Sequence, residues 1–238
     1  MISEYGLIFF ILVIAAYLSV KLGKLTVIAA ITGVCLSLLI FTGAGYTGVV
    51  MLATFFILGS AATSWKMNVK EAQQLAEKNK GRRKASQVFA NAGVAAIAGL
   101  LIFLFPAHTY LFRVMIAAAI SSATADTLSS ELGMLYGRRC YNIITFKKDT
   151  CGLNGVVSIE GLFIGVAGSI IISMVYGFGF GWNINLLWIV IAGTVGNIAD
   201  SVLGAILERR NIIGNDAVNF LNTLIAALTS VVLMKLNS

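Results

Sequence analysis

Long apolar stretches, separated by short polar or glycine-rich breaks, limit this chain to very few folds. A helix needs roughly 20 apolar residues to cross a bilayer. Only 11% of the 238 residues are charged, whereas a soluble domain has about 25%. We therefore predict an all-α polytopic membrane bundle of about eight transmembrane helices, forming a single domain over residues 1–238. The predicted spans are 5–20, 25–41, 46–64, 86–105, 111–133, 156–176, 185–207 and 215–234.

The basic residues predict the orientation of this bundle. Fifteen of the 17 lysines and arginines follow the first, third, fifth and seventh spans. By the positive-inside rule, the loops 65–84 and 134–155 face the cytoplasm and both termini lie outside a cell inner membrane. The net charge of +7 is then explained by topology and by contact with anionic lipid. We expect membrane lipid as a partner and no nucleic acid, and the sequence does not identify protein partners.

Two details concern these cytoplasmic loops. The segment 65–84, WKMNVKEAQQLAEKNKGRRK, is typical of an amphipathic helix lying on lipid headgroups. Cys140 and Cys151 both lie in the loop 134–155, where we expect reduced thiols. Their spacing, with no nearby histidine, matches no zinc site.

Acidic residues within the spans are the main indication of function. A carboxylate at the bilayer centre costs about 2.5–3.5 kcal/mol on insertion scales, so it normally faces a cavity or a partner. The predicted topology places all of these acids in the cytoplasmic half of the bundle and leaves the outer half nearly bare. The six acids within spans or at their ends are Asp126, Glu131, Glu160, Asp200, Glu208 and Asp216.

Polar side chains share one face on each of several predicted helices. Ser122, Asp126 and Ser130 recur at every fourth residue, and the stripe from Asn197 to Glu208 covers only about 100° of its helix. We therefore predict a cytoplasm-facing cavity. Besides the acids at 126, 131 and 200, its predicted lining is Gln87, Asn91, Thr127, Ser130, Glu160, Asn197, Ser201, Glu208, Asn215, Asp216, Asn219 and Asn222.

Two of these stripes are alike in sequence. TADTLSSELG and IADSVLGAIL both contain Ala-Asp followed by threonine or serine, 74 residues apart. A weak internal repeat would make Asp126 and Asp200 face one another, and chance similarity is the alternative.

The loop 134–155 ends in Gly-Leu-Asn-Gly directly before the predicted sixth span. Such a turn presents backbone N–H groups and the positive end of a helix dipole to an anion. A basic loop that serves only to set topology is the alternative reading. The predicted nucleotide- and phosphate-binding residues are Arg82, Arg83, Lys147, Lys148, Gly152, Asn154 and Gly155.

Carboxylates beside a phosphate-binding loop are what a Mg²⁺–nucleotide site requires. Magnesium binds through one or two carboxylates together with substrate phosphates. Asp126, Glu131 and Asp200 are the predicted metal ligands and catalytic residues, and Mg²⁺ is the predicted cofactor.

Five motifs, taken in order, resemble one known family. They are GRRKASQVFANAG, ATADTLSSELG, GLNGVVSIEGLFIGVAGS, GNIADSVLGAILE and NDAVNFLNT. Together they resemble the membrane family of plant phytyl-phosphate kinase and transmembrane protein 19, also defined as domain of unknown function 92. The resemblance implies transfer of phosphate from a nucleoside triphosphate to a prenyl monophosphate. Where the family has a basic Arg-Arg-Val-Pro stretch, this chain has FKKDTCGLNG, so we expect phosphate attraction without bidentate arginine contacts.

We therefore predict a membrane-embedded kinase that uses CTP or a similar nucleotide on an isoprenoid monophosphate such as phytyl phosphate. Two alternatives use the same acids. A cytidylyltransferase forming a CDP-lipid would release pyrophosphate, and an ion-coupled transporter would use the acids along its path. An inert structural protein would leave the intramembrane acids without a purpose.

Overall fold

The computed structural model describes residues 4–72, 75 and 81–236. These residues form a helical bundle with one small pair of strands, and the predicted helical membrane bundle is confirmed. The helices are α1 (Glu4–Lys21), α2 (Val27–Ser64), α3 (Met67–Ala72), α4 (Ala85–Leu104), α5 (Thr109–Tyr136), α6 (Ile159–Phe180), α7 (Asn185–Leu203) and α8 (Asn215–Leu236). The strands are β1 (Cys140–Asn142) and β2 (Val156–Ser158).

Seven helices of the described chain are long and apolar enough to cross a membrane, and α2 accounts for two of the predicted spans. As one straight helix its 38 residues would extend about 57 Å. Its two ends instead lie side by side, since Nζ of Lys24 donates to Oγ of Ser64 at 2.6 Å. The chain reverses at Gly45, whose φ of 56° and ψ of −152° interrupt the helix. Glycine suits this position because it has no Cβ to oppose a positive φ.

Helix α5 lies at the centre of the bundle and packs against α2, α4, α6, α7 and α8. Its middle third, AAAISSATA, is buried almost completely. Small side chains let helix backbones approach closely in a membrane, where no hydrophobic force drives them together. Gly133 of α5 shows this at the crossing with α6, because an added Cβ would lie 3.1 Å from Cα of Gly161. The small residues of α5 thus let the neighbouring helices pack closely around it.

The basic loops gather at one end of the bundle, which we call the cation end. Backbone N–H of Arg83 donates to the carbonyl of Lys24 at 2.9 Å, which joins the first and second basic clusters. Arg209, after α7, donates to the Asp149 carboxylate of the loop 137–158 at 2.8 Å. All four basic clusters therefore contribute to one surface.

The loop before α6 departs from the prediction. Residues 156–158 were expected in the sixth span, but they form strand β2 and pair antiparallel with β1, so that Cys140 lies opposite Ser158. The helix begins only after Ser158, whose Oγ accepts the N–H of Gly161 at 3.0 Å and caps it. The Gly152–Gly155 turn consequently leads into a strand and does not present its N–H groups at the end of α6.

The prediction that Cys140 and Cys151 are reduced thiols also differs from the structure, which joins them in a disulfide. A tight hairpin brings them together, because the N–H of Asp149 donates to the carbonyl of Cys140 at 3.1 Å. Sequence spacing alone gave no sign of this reversal. The disulfide closes the loop that contains Lys147 and Lys148.

The predicted amphipathic helix over 65–84 is described only in part. Residues 67–72 form α3, and residues 73–74 and 76–80 lie outside the described part of the chain. Lys70 of α3 points inward and is 1% exposed, so this helix is anchored to the bundle and not only to lipid.

We predict that the disulfide restrains the loop that it closes. Closing a loop of this size in the unfolded chain is worth about 3 kcal/mol. Replacing both cysteines by serine, or reducing the wild-type protein, should therefore expose Lys147 and Lys148 to faster cleavage by trypsin, with unchanged helix content by circular dichroism. The matched control is Cys35→Ser, which removes an exposed free cysteine. Equal cleavage rates with and without reductant would contradict a structural role for the bond.

Candidate functional site

A polar cavity of about 190 Å³ opens at the cation end, between α4, α5, α6, α7, α8 and the loop before α6. We call it the acid pocket. It brings together most of the residues predicted from the sequence. Those in its lining are Arg83, Gln87, Asn91, Asp126, Thr127, Ser130, Glu131, Gly152, Asn154, Gly155, Asn197, Asp200, Ser201, Glu208, Asn215 and Asn219.

Two carboxyl groups meet at the floor of the acid pocket. Asp126 of α5 and Asp200 of α7 lie within hydrogen-bonding distance of each other. Nδ2 of Asn222 donates to Oδ1 of Asp200 at 2.8 Å, and the side-chain oxygen of Asn222 accepts from Ser122 at 3.1 Å. Asn222 is fully buried behind the pair, so it positions Asp200 and does not line the pocket.

Glu131, the third predicted metal ligand, has a different partner. It forms an ion pair with Nζ of Lys70 at 2.5 Å, and both side chains are buried. Lys70 also donates to the carbonyls of Ala62 and Thr63 at the end of α2. The three predicted ligands do not converge, and no three acidic, histidine or cysteine side chains of the described residues form a metal-binding group. The carboxyl pair therefore consists of Asp126 and Asp200.

Arg83 is held at the mouth of the pocket by its own backbone. Its N–H and carbonyl bond to the α1–α2 connection, at Lys24 and Thr26. The guanidinium lies 5.1 Å from the ring centroid of Phe55 and passes over Gly59, where an added Cβ would come within 2.5 Å of Nη2. Gly59 therefore leaves the space that this arginine occupies.

The loop before α6 closes one side of the pocket against the end of α7. After Leu203 the helix widens into one π-helical turn, Gly204–Glu208, a feature common at functional sites. Gly155 packs directly on this turn, because an added Cβ would lie 2.5 Å from Cα of Ala205. The side chain of Asn154 bonds to Glu208. The loop and the π turn thus hold Glu208 in the lining.

Glu208 does not neutralise the arginine that follows it. Arg209 instead donates to the carboxylate of Asp149 at 2.8 Å. This hydrogen bond, with a second from the N–H of Thr150, lowers the pKa of Asp149. Asp149 therefore stays ionised, and Glu208 remains an additional acid near Asp126 and Asp200.

Six predicted residues lie outside the lining of the acid pocket. Besides Asn222, these are Arg82, Lys147, Lys148, Glu160 and Asp216. Nε of Arg82 donates to the carbonyl of Leu25, and Glu160 accepts the N–H of Arg138. Lys147 and Lys148 are exposed at the tip of the hairpin. Asp216 lies in the first turn of α8, where the helix dipole stabilises its negative charge. The acid pocket is therefore lined by most of the predicted acids and amides, but by only one of the four predicted cations, Arg83.

Several residues around the pocket carry no distinguishing signal in the sequence. Lys70 resembles the other cations that set the topology, and Ser129 lies outside the predicted stripes, although it donates to the side-chain oxygen of Asn197 at 2.8 Å. The outer half of the bundle is also less bare than predicted. Nδ2 of buried Asn185 donates to the hydroxyl of Tyr110, and Tyr176 bonds to Asn185. Single hydroxyls and amides in apolar runs give no periodic signal, which is why these contacts were not foreseen.

The chemistry of the pocket fits a hard cation together with phosphate. Two carboxylates in contact repel each other strongly unless a proton or a cation lies between them. The donors around Asp126 and Asp200 are carboxylate, amide and hydroxyl oxygens, which suit Mg²⁺, Ca²⁺ or Mn²⁺. The amide nitrogen of Asn197 is buried with no hydrogen-bond partner and belongs to the same lining. An added Cβ at Gly165 would lie 2.6 Å from this nitrogen, so it faces α6 and not the open space of the pocket.

We predict that Lys70 is required because Glu131 is buried. Lys70→Met should lower the stability of the detergent-purified protein by about 3–5 kcal/mol, since it leaves a buried carboxylate unpaired. The double variant Lys70→Met/Glu131→Leu should recover most of this loss. The measurement is the thermal unfolding midpoint, compared between the single and double variants. A double variant as unstable as Lys70→Met would show that the ion pair is not the cause.

Known membrane proteins are similar to this chain over most of its length. The family model for integral membrane protein DUF92 matches residues 10–227. Protein VTE6, chloroplastic, of Arabidopsis thaliana is 30% identical over 198 residues, which are 80% of this chain and 60% of that protein. Uncharacterized membrane proteins of Synechocystis and Methanocaldococcus jannaschii are 30% and 31% identical, and each match covers 77% of the relative and 82% or 79% of this chain. No solved structure matches. The family predicted from the motifs is confirmed, and the chain belongs to the DUF92 family of integral membrane proteins.

Proposed function

We propose that this protein is a membrane-embedded phosphotransferase that moves the terminal phosphoryl group of a nucleoside triphosphate to a prenyl monophosphate. The observation that carries the proposal is the contact between the Asp126 and Asp200 carboxyl groups, with Arg83 at the mouth of the same pocket. Two carboxyl groups and a guanidinium in the lining of one pocket suit a metal-bound polyphosphate. The resemblance of the motifs to the phytyl-phosphate kinase family supports the substrate class.

The residues divide between the cation and the phosphates. Asp126 and Asp200 would hold Mg²⁺, with Glu208 close by, and the ion would neutralise the charge of the transferred group. Arg83 would bind phosphate oxygens, since its guanidinium is a hydrogen-bond donor at the mouth of the pocket. Asn222 keeps Asp200 in place. Phosphoryl transfer needs mainly positioning and charge stabilisation, which these residues supply.

The reaction requires no strong base. A terminal oxygen of the prenyl monophosphate attacks the γ-phosphorus, and the bond from that phosphorus to the β-bridging oxygen breaks. The products are a prenyl diphosphate and a nucleoside diphosphate, so charge and atoms balance without oxidation. A phosphate monoester is largely dianionic at neutral pH, because its second pKa is about 6. It is therefore already a nucleophile.

The volume of the pocket limits what it encloses. At about 190 Å³ it is smaller than the roughly 300–1,000 Å³ typical of pockets that enclose a whole small molecule. It has room for phosphate groups, and the nucleoside would extend beyond the mouth toward the loop 138–155. The exposed Lys147 and Lys148 would then act at a distance, as point charges that attract the nucleotide.

A second candidate function is ion-coupled transport. The polar contacts among Tyr110, Tyr176 and Asn185 in the outer half of the bundle favour it. Against it, the acids that line the cavity all lie at the cation end, whereas transporter sites usually lie near the midplane. A cytidylyltransferase would use the same carboxyl pair and differs only in its products.

We predict that Asp126→Asn removes activity without unfolding the protein. The change keeps size and hydrogen bonding but removes one charge from the carboxyl pair, so kcat should fall by about a hundredfold or more. The assay is Mg²⁺-dependent formation of nucleoside diphosphate with phytyl monophosphate as acceptor, after size-exclusion chromatography confirms a folded protein. The matched control is Glu71→Gln, which neutralises an exposed acid of α3.

The products separate the candidate functions. CMP and pyrophosphate from CTP would establish the cytidylyltransferase. Proteoliposomes that accumulate an ion or solute, with no nucleotide consumed and with the accumulation lost in Asp126→Asn, would establish the transporter and overturn the kinase.

We further propose that the cation end faces the cytoplasm and that both termini lie outside. The distribution of cations supports this orientation, while the Cys140–Cys151 disulfide is a bond more usual in oxidising compartments. The distribution of cations and the disulfide are both compatible with a cytoplasmic loop whose cysteines are reduced in the cell and form the bond only under oxidising conditions.

This orientation predicts that single cysteines engineered at Ser64 and Thr145 resist a membrane-impermeant thiol reagent in intact cells and react after lysis. Cys140 and Cys151 should also be alkylated as free thiols when cells are lysed into iodoacetamide. Labelling from outside, or an intact disulfide in cells, would reverse the orientation.

A further inference from the structure

An apolar groove on the membrane side of the bundle meets the acid pocket at one point. The groove has a volume of about 150 Å³ and lies between α1, the two arms of α2 and the start of α4. Its lining includes Leu12, Ala16, Gly33, Val49, Leu52 and Phe56. We call it the tail groove. Arg83 and Asn91 belong to the lining of both cavities, so the tail groove begins where the acid pocket ends.

The polarity of the tail groove changes along its length. Arg83 is its only charged lining residue among the residues described, and it lies at the cation end. Ser19 and Ser37 also line the groove, but each hydroxyl donates to a carbonyl of its own helix, at Ala15 and Gly33. Beyond Arg83 and Asn91 the wall therefore offers almost no polar group to a ligand. A molecule that fits has one anionic end and an apolar remainder.

The groove is open sideways to lipid and long enough for part of a chain. Ala15 and Ala53 are exposed at its rim. On α1 its lining extends from Ser19 to Leu12, seven residues, or about 10 Å along the helix. Because lipid is also apolar, the groove would bind such a chain only where its shape fits the chain better than bulk lipid does. The anionic end would determine which lipid molecule enters.

We propose that the tail groove holds the isoprenoid chain of the acceptor, with its monophosphate at Arg83 and directed toward the carboxyl pair. The proposal rests on the proposed function, which supplies the prenyl phosphate. It adds the entry route, from the membrane between α1 and α2, and the residues that contact the chain. A longer tail would extend past Leu12 into lipid. The groove would therefore contact only the part of the chain nearest the phosphate.

Gly33 is the position at which to obstruct the groove. An added Cβ there would meet only Cγ1 of Val88, at 3.9 Å, so a side chain has room to enter the cavity. Replacing a helical glycine also favours the helix. Gly33→Phe should therefore fill the groove without a backbone clash. Ala53→Phe, at the open rim, is a second obstructing variant, and Ile31→Phe on the lipid-facing side of the same helix is the matched control.

The first experiment measures binding and needs no turnover. Wild-type protein and variants in proteoliposomes are exposed to a phytyl monophosphate that carries a diazirine in its tail, and the crosslinked peptides are identified by mass spectrometry. Crosslinks should fall on α1, α2 and the start of α4, and unlabelled phytyl monophosphate should compete for them. Gly33→Phe and Ala53→Phe should each reduce labelling about tenfold, and Ile31→Phe should not. Crosslinks on α6 to α8, or labelling unchanged in both obstructing variants, would overturn the assignment.

The second experiment separates this inference from the function on which it rests. With phytyl monophosphate as acceptor, the obstructing variants should raise KM about tenfold. With dimethylallyl monophosphate, whose short chain fills little of the groove, the increase in KM should be much smaller. Crosslinks in the groove without any phosphoryl transfer would keep the lipid-phosphate site and reject the kinase. Transfer with an equal KM change for both acceptors would keep the kinase and reject the groove.

Discussion

Repulsion between two carboxylates in a poorly polarisable interior is the constraint on which the site depends. At an effective dielectric constant of about 20, two like charges 4 Å apart repel by about 4 kcal/mol. Asp126 and Asp200 lie within hydrogen-bonding distance of each other, and α5 and α7 are packed together through buried alanine, glycine and serine residues. The packing therefore keeps the two carboxyl groups close, and a shared proton or a cation must relieve their repulsion. In the proposed function, a cation would replace the proton and its attraction to both acids would contribute to binding affinity.

A second buried acid shows how the chain treats a charge that it does not use for binding. Glu131 lies five residues beyond Asp126 on α5, and it is paired with Lys70. Lys70 also caps the last carbonyls of α2, so one ammonium group satisfies an acid and a helix terminus together. The pair attaches α3 and the end of α2 to the central helix. Neutralising Glu131 in this way leaves the negative charge of the pocket concentrated on Asp126, Asp200 and Glu208.

The sequence was sufficient for features that depend on long periodic patterns. Apolar run lengths gave the spans to within a few residues, and the i, i+4 spacing of Ser122, Asp126 and Ser130 placed the site on α5. It was not sufficient where a contact joins distant segments through single residues. Nothing around Lys70 distinguishes it from surface lysines, and nothing around Cys140 foretells the hairpin that brings Cys151 to it. The strand Val156–Ser158 is not distinguished in the sequence, because Val-Val-Ser directly before an apolar helix is as compatible with the first turn of that helix as with a strand.

In the proposed reaction, Arg83 is the side chain at which a soluble nucleotide and a membrane lipid would meet. Its backbone is fixed to the α1–α2 connection, and its side chain crosses Gly59 between two cavities of opposite polarity. A lipid phosphate cannot enter a carboxylate-lined pocket without compensation for its own charge, and an apolar chain cannot leave the membrane without losing burial. A guanidinium at the junction meets both conditions, because it binds phosphate oxygens with its N–H groups while its planar face packs on Phe55. In the proposed reaction, the substrate would cross the boundary between lipid and pocket at this side chain, with its chain still in an apolar environment and its phosphate beside the acids.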